Sequence, residues 1–279
     1  MTRDAPRGFR RLERGRIELV VDGELEDGAC ALGLLEDDAL ERAFAAPAGH
    51  GRAPTARLEL GPGGPRLHLR RLVHGGLLGP LLGSAFVGSG RSLSELRVTG
   101  RLRDAGAPVP RPALALSRRL AGPLRACAVG TFFEEDAVDA AEFLASAPDP
   151  GRVLRAAEAA GAAVRRFHDA GGRHADLHVK NLLLREGPHA TACVVVDLDK
   201  ARIASDATPG ERMGELMRLF RSLVKRGLLG RVGRGGCARF FSAYCGEDRR
   251  LRTALRRRLP AELRKVAMHR VGYRAAGRG

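Results

Sequence analysis

The eleven residues His174–Leu184, HADLHVKNLLL, and the later VVVDLDKAR, in which Asp197 closes the apolar run Cys193–Val196, decide the reading of this chain. Asn181 follows Asp176 by five positions, and Asp197 follows Asn181 by sixteen. An Asp, an Asn and a second Asp behind a β-branched strand are what phosphoryl transfer needs on one loop and one strand end. HxD alone occurs by chance in many chains. H-x-D-L-x-x-x-N followed by two apolar runs and a closing Asp is a longer ordered constellation.

Each residue type has a chemical reason to be there. Asp176 is expected to accept the proton of an attacking hydroxyl and hold that oxygen in line with the γ-phosphate of ATP, orienting more than deprotonating. Asn181 and Asp197 offer hard oxygens to a divalent metal that bridges the phosphates, and such oxygens suit Mg2+. His174, two residues before Asp176, supports the loop rather than reacting. Lys180 falls near the transferred phosphoryl group. The plain alternative is a hairpin from LLLREG to VVVD with solvated acidic turns, which leaves Asn181 unexplained.

The chain has 279 residues, 44% of them hydrophobic, enough for one two-lobed enzyme or two small domains. Its formal charge of +16 points to a polyanionic partner or surface. Only Lys180, Lys200, Lys225 and Lys265 are lysines, and the Ala/Gly/Leu/Arg excess has the look of a GC-rich coding bias, which weakens that pointer. Five scattered cysteines without a CxxC argue against a disulfide framework and a zinc site, and Cys193 reads as core. The amino-terminal stretch MTRDAPRGFRRLERGR has no apolar signal-peptide core and no apolar run is long enough to span a bilayer, so the expectation is a cytoplasmic, non-spanning protein.

Residues 1–45 read as an extension of uncertain role with a strand or two and a helix. GHGRAPTARLEL and RLHLRRL flank a Gly/Pro turn and predict a hairpin. Gly49 and Gly51 open it and are candidates for a loop covering phosphate, where glycine lets the backbone come close. In protein kinases the third strand carries a lysine paired with a helix glutamate. Here Arg70 or Arg71 takes that place, with Glu95 on the helix from about Ser92 to Ala105; Arg70 aligns slightly better, and its fork can grip phosphate or carboxylate. A strand over Leu124–Phe133 leads into FFEEDA, and Glu134 marks a candidate hinge for adenine. Helices are expected over Arg152–Ala170, stopped by Gly171 and Gly172, and over Glu211–Arg226. The run Arg249–Lys265 carries eight Lys/Arg and is expected to be helical before Pro260.

The chain resembles the bacterial lipopolysaccharide kinase family, and within it the 3-deoxy-D-manno-octulosonic acid (Kdo) kinases. RLHLRRLVHGGLLG, SELRVTGRLRDAGAPVPRP, FHDAGGRHADLHVKNLLL, VVVDLDKARI and LMRLFRSLVKRG carry the resemblance, over about residues 49 to 230. It implies an α+β, two-lobed protein-kinase-like fold, with a β-rich N-lobe over 46–133 and a mainly helical C-lobe over 134–279. It also implies ATP and Mg2+ as cofactors and phosphorylation of a Kdo hydroxyl on a lipid A precursor or related glycolipid. That chemistry would take place at the cytoplasmic face of the inner membrane. Asp197-Leu198-Asp199 with Lys200 and Arg202 is similar to that family's D-[FL]-D-[KR]-x-R. His74 stands where the family more often has Arg, and residues 1–45 match nothing in it.

Too few residues separate Asp199 from the next helix for a long activation segment, and A-P-E is absent, so a peptide acceptor lacks its platform. The rivals are another small-molecule kinase of the same fold, heptose- or aminoglycoside-directed, and an inactive nucleotide-binding scaffold. A nucleic-acid partner is not expected, since only charge suggests one. The basic C-terminal run lacks a strong apolar face and is expected to meet an anionic membrane surface electrostatically.

Overall fold

The computed structural model describes residues 5–45, 54–74, 84–188, 190–204 and 207–276, with side chains as far as Val266. Gly49 and Gly51 lie outside the described residues. The chain forms two compact units, one made of residues 1–103 and 110–134, the other of 104–109 and 135–279.

The first unit is built on an antiparallel sheet. In chain order its strands are β1 (Phe9–Arg14), β2 (Ile17–Asp22), β3 (Thr55–Glu59), β4 (Arg66–Arg71), β5 (Ala85–Val87), β6 (Pro112–Arg119) and β7 (Leu124–Phe132). They are arranged β1-β2-β6-β7-β4-β3, with β5 also on β7. Short helices α1 (Glu26–Ala31) and α2 (Ala39–Ala43) and the longer α3 (Gly90–Asp104) complete the unit. Period-two alternation sorts the two faces. Leu19, Val21, Leu67, Leu69 and Leu114 pack with Ala29 and Leu40 of the short helices, whereas Val20 and Ala115 pack with Leu93 and Leu96 of α3. Residues 9–43 therefore supply two strands and two helices to this unit's sheet and core. Ile17, Leu19, Leu25 and Leu40 of this segment have less than a tenth of their surface exposed because they pack into this core.

In the second unit, α4 (Ala140–Ala145) and α5 (Pro150–Asp169) precede a hairpin over 182–195, and α6 (Pro209–Lys225), α7 (Leu229–Cys245) and α8 (Arg249–Ala276) follow it. The caps are legible in the sequence. Asp139 accepts from Ala141 N and Glu142 N, Asp149 from Arg152 N ahead of Pro150, and Thr208 forms a capping box with Glu211. Gly161 lets α5 and α7 approach: a methyl group there would overlap the Phe240 carbonyl oxygen. Gly171, at φ +84, ends α5 where an L side chain is strained.

The strands of this unit are β8 (Ala137–Asp139), β9 (Gly172–Arg173), β10 (Leu182–Glu186), β11 (Thr191–Val195) and β12 (Arg202–Ile203). One difference from the sequence expectation concerns α8, which runs through Pro260 rather than ending before it. Proline removes one N–H and crowds the preceding turn. Pro260 lies on the exposed side, while Leu251, Leu255 and Val266 are buried on both sides of it, so packing keeps the helix continuous.

Candidate active site

Two chain segments run antiparallel through the centre of the second unit, and their pairing is interrupted once. At one end β9 pairs with β12, Gly172 opposite Ile203 and Arg173 opposite Arg202. At the other β10 pairs with β11, beginning at Leu182 opposite Val195. Between these two ladders lie residues 174–181 on one segment and 196–201 on the other. Asp176, Asn181 and Asp197 all fall in that interruption, where the backbone is released from regular pairing yet clamped on both sides.

Two bonds cross the gap. Val196 N donates to Asn181 O at 3.0 Å, and His174 Nε2 meets Val196 O at 3.0 Å. Asp176 N donates to His174 Nδ1 at 3.1 Å, so Nδ1 is the acceptor and Nε2 carries the proton given to Val196. His174 is 1% exposed, and burial holds its pKa below the usual histidine range despite the Val196 carbonyl and nearby carboxylates. It is a neutral bracket between the two segments.

Asn181 is buried, and its Nδ2 donates to Asp176 O at 3.0 Å. With the amide nitrogen so committed, the side-chain oxygen is the atom left to face a cation. Asp197 is exposed and adopts φ 59, in the left-handed region, as does Lys200 at φ 65. Non-glycine residues enter that region at some cost, and such strain gathers at functional turns. The turn buries Leu198 and turns the Asp197 side chain out. An amide oxygen and an exposed carboxylate on bonded segments are hard donors of the sort Mg2+ accepts, leaving the rest of its shell to water and substrate phosphate.

The Asp176 side chain is 73% exposed, with His178 Nε2 at 3.7 Å from Oδ2. Lys180 is exposed on the 3₁₀ turn Val179–Asn181, whose entry is fixed by Val179 N donating to Ser222 Oγ of α6 at 3.0 Å.

Sequence reasoning missed the residues behind the loop. Glu215 of α6 is 7% exposed, and its Oε2 accepts from His174 N at 2.9 Å and meets His168 Nε2 at 3.2 Å. His168 Nδ1 meets the Tyr244 hydroxyl at 2.7 Å. Burial lowers the pKa of His168, which Glu215 opposes, and raises that of Tyr244 to about 12. The sequence signal was a polar residue on the apolar stripe of an amphipathic helix, between Met213, Leu216 and Leu219. Cys193 is plain core, its thiol pushed up to about 12 by burial.

In the first unit, Arg70 Nη2 lies 2.6 Å from Glu95 Oε1, with side chains 15% and 10% exposed. Strand parity sets this pairing. Leu67 and Leu69 face the short helices, so Arg70 faces α3, whereas Arg71 shares the leucines' side and its guanidinium lies 6.0 Å from the Phe44 ring. Glu134 is half-buried just past β7 and closes the unit, beyond Phe133, whose N–H donates to Arg66 O at 2.8 Å.

A family model described as "Lipopolysaccharide kinase (Kdo/WaaP) family" matches residues 66–244. A 3-deoxy-D-manno-octulosonic acid kinase of Haemophilus influenzae is 28% identical over 163 residues, covering 57% of this chain and 67% of that protein. One from Stenotrophomonas maltophilia is 33% identical over 164 residues, covering 56% of this chain and 61% of that protein. The matched stretch thus spans about two thirds of such relatives. Among solved structures, one titled "WaaP in complex with acyl carrier protein" superposes with a TM-score of 0.55 at 23% identity, covering 81% of this chain and 91% of that one. That likeness carries the fold, which is α+β and protein-kinase-like, a β-rich unit followed by a mainly helical one.

Proposed function

The chain belongs to the lipopolysaccharide kinase (Kdo/WaaP) family and is a phosphotransferase of lipopolysaccharide biosynthesis acting on a sugar hydroxyl, and from that premise we propose that it transfers the γ-phosphoryl group of ATP to the Kdo residue of a lipid A precursor. The observation that carries this reading is the single interruption between the β9/β12 and β10/β11 ladders, which gathers Asp176, Asn181 and Asp197. Asp176, open to solvent, receives the acceptor hydroxyl and its proton. Asn181 and Asp197 would hold Mg2+, which when bound would supply positive charge to the phosphates. Lys180 stands beside Asn181 for the phosphoryl group. Arg70, oriented by Glu95, grips phosphate as the lysine of other kinases does, but as a fork rather than a point charge.

The same proposal covers place. Among the described residues no helix is long and apolar enough to cross a membrane. Exposed Arg249, Arg250, Arg256, Arg257, Arg258, Arg264 and Lys265 of α8 support peripheral attachment to the anionic cytoplasmic face of the inner membrane, at about 1 kcal/mol per charge near such a surface. Co-sedimentation with anionic but not zwitterionic vesicles, lost at high salt and on changing Arg256, Arg257 and Arg258 to Gln, is the expected result. Indifference to lipid charge would remove this part.

Mass spectrometry of lipid A precursor after incubation with protein, ATP and Mg2+ tests the reaction. A phosphate gained on Kdo is expected. Phosphate appearing only on heptosylated core or on an aminoglycoside would move the protein to another acceptor.

A further inference from the structure

We propose that Glu215 is a positioning residue of this transfer: its buried carboxyl group, steadied by His168 and Tyr244, holds the backbone of His174 and so sets where the loop presents Asp176. The inference rests on the phosphotransferase reading above and adds a residue that neither the motif nor the site chemistry contains.

The bonds form one chain from the protein interior to the reacting side chain. Arg212, itself 2.8 Å from Asp169, hydrogen-bonds the Tyr244 oxygen, and Tyr244 in turn donates its hydroxyl proton to His168 Nδ1. His168 therefore carries its proton on Nε2 and donates it to Glu215 Oε2, the same oxygen that accepts from His174 N. His174 then accepts from Asp176 N and donates to Val196 O, one residue before Asp197. A single carboxyl oxygen thus lies behind both interrupted segments. Burial depresses the protonation of His168, and the charges of Arg212 and Arg173 add to that effect. Arg218, one turn further along α6, donates to His174 O at 3.3 Å, so one helix grips both the N–H and the carbonyl of His174.

The His174 N–H donates to Glu215 Oε2, and removing the carboxyl group would leave that donor and His168 Nε2 buried and unsatisfied. The loop's remedy is to move. Displacing a reacting group by about 1 Å costs on the order of 10²-fold in rate even when the change lies away from the chemistry. Glu215 touches neither substrate nor phosphate, so its loss should appear in kcat far more than in the KM for ATP.

Steady-state kinetics and hydrogen exchange on the full chain test this, run well below the melting temperature of each variant. Glu215→Ala should lower kcat about 10²-fold with the KM for ATP near the parent value, and should speed exchange at the His174 amide. Glu215→Gln keeps a neutral oxygen acceptor and should restore kcat to within about tenfold of the parent and the exchange rate with it. A folded Glu215→Ala protein with parent kcat, or one that Gln fails to rescue, overturns the proposal. Should Glu215→Ala fail to fold, Tyr244→Phe removes only the hydroxyl that steadies His168; faster His174 exchange with a smaller fall in kcat is expected, and parent values for both overturn it. If the parent protein transfers phosphate to no acceptor, the functional reading fails instead, and exchange at His174 still reads the latch by itself.

Discussion

The Asp176 side chain, the proposed reacting group, is open to solvent and the groups behind it are buried, His174 at 1% exposure and Glu215 at 7%. At Arg70 and Glu95 the charged groups are themselves the shielded ones, and a strand and a helix hold them. The difference follows from the tasks proposed for each. A group that meets a changing acceptor needs access, so its precision has to come from backbone ties behind it. A group that grips an invariant phosphate gains from a lower local dielectric, and shielding strengthens its charge. Sensitivity to mutation should divide accordingly: around Asp176 activity and stability separate, and at the Arg70 pair they fall together.

The largest effect is expected at the exposed group. Asp176→Ala and Asp197→Ala should each cost about 10²- to 10³-fold in turnover or more, with melting temperatures close to the parent, since neither side chain belongs to a core. Near-normal turnover in Asp176→Ala would undo the assignment. Asn181→Ala sits between the two patterns. It removes the oxygen proposed for the metal and also the bond to Asp176 O, so it should raise the Mg2+ concentration needed for activity and lower stability by about 1 kcal/mol.

At the shielded pair, Arg70→Ala should cost about 3 kcal/mol of stability as well as activity, because it takes the Arg70 guanidinium away from a largely buried Glu95 carboxylate. Exchanging the two charges, Arg70→Glu with Glu95→Arg, should recover part of the stability and little of the activity. Arg71→Ala, on the other face of the sheet, should change both only slightly; equal losses at Arg70 and Arg71 would remove the pair from the mechanism.

The smallest effect expected is on pH dependence. Burial depresses the pKa of His168 and of His174, so each stays neutral when folded while the unfolded chain takes up a proton near pH 6.5. Their contribution is complete above about pH 6.5 and is lost as pH falls toward the folded values. Glu186, Glu211 and Asp248, held below the usual carboxylate range by hydrogen bonds or by Arg152, lose theirs only in more acidic solution. A melting temperature that declines from about pH 7 to pH 5.5, ahead of acid unfolding, is expected. A flat profile there would mean that the buried network takes up protons without opening.

Much of the catalytic segment was legible because its information is local. The spacing of Asp176, Asn181 and Asp197, the Gly171–Gly172 stop and the Asp149-Pro150 start are properties of consecutive residues, and the helices over Pro150–Asp169 and Pro209–Lys225 lie within a few residues of their sequence expectation. Arg70 over Arg71 was open on spacing, though strand parity distinguishes them once Leu67 and Leu69 are known to face one side. Glu215 carries no motif. A glutamate on an apolar helix face is an anomaly whose partner cannot be named from the sequence, since His168 and His174 are 47 and 41 positions away.

By itself, then, the sequence pointed to phosphoryl transfer, to the order of the parts and to the bounds of α5 and α6, because residue type and short-range spacing suffice for those. Only the tertiary structure decided that residues 9–43 are part of the first sheet's core, that α8 passes through Pro260, and that Glu215 reaches the His174 backbone. Each depends on which distant surface is buried against which, and burial is set by the assembled chain rather than by any window of it.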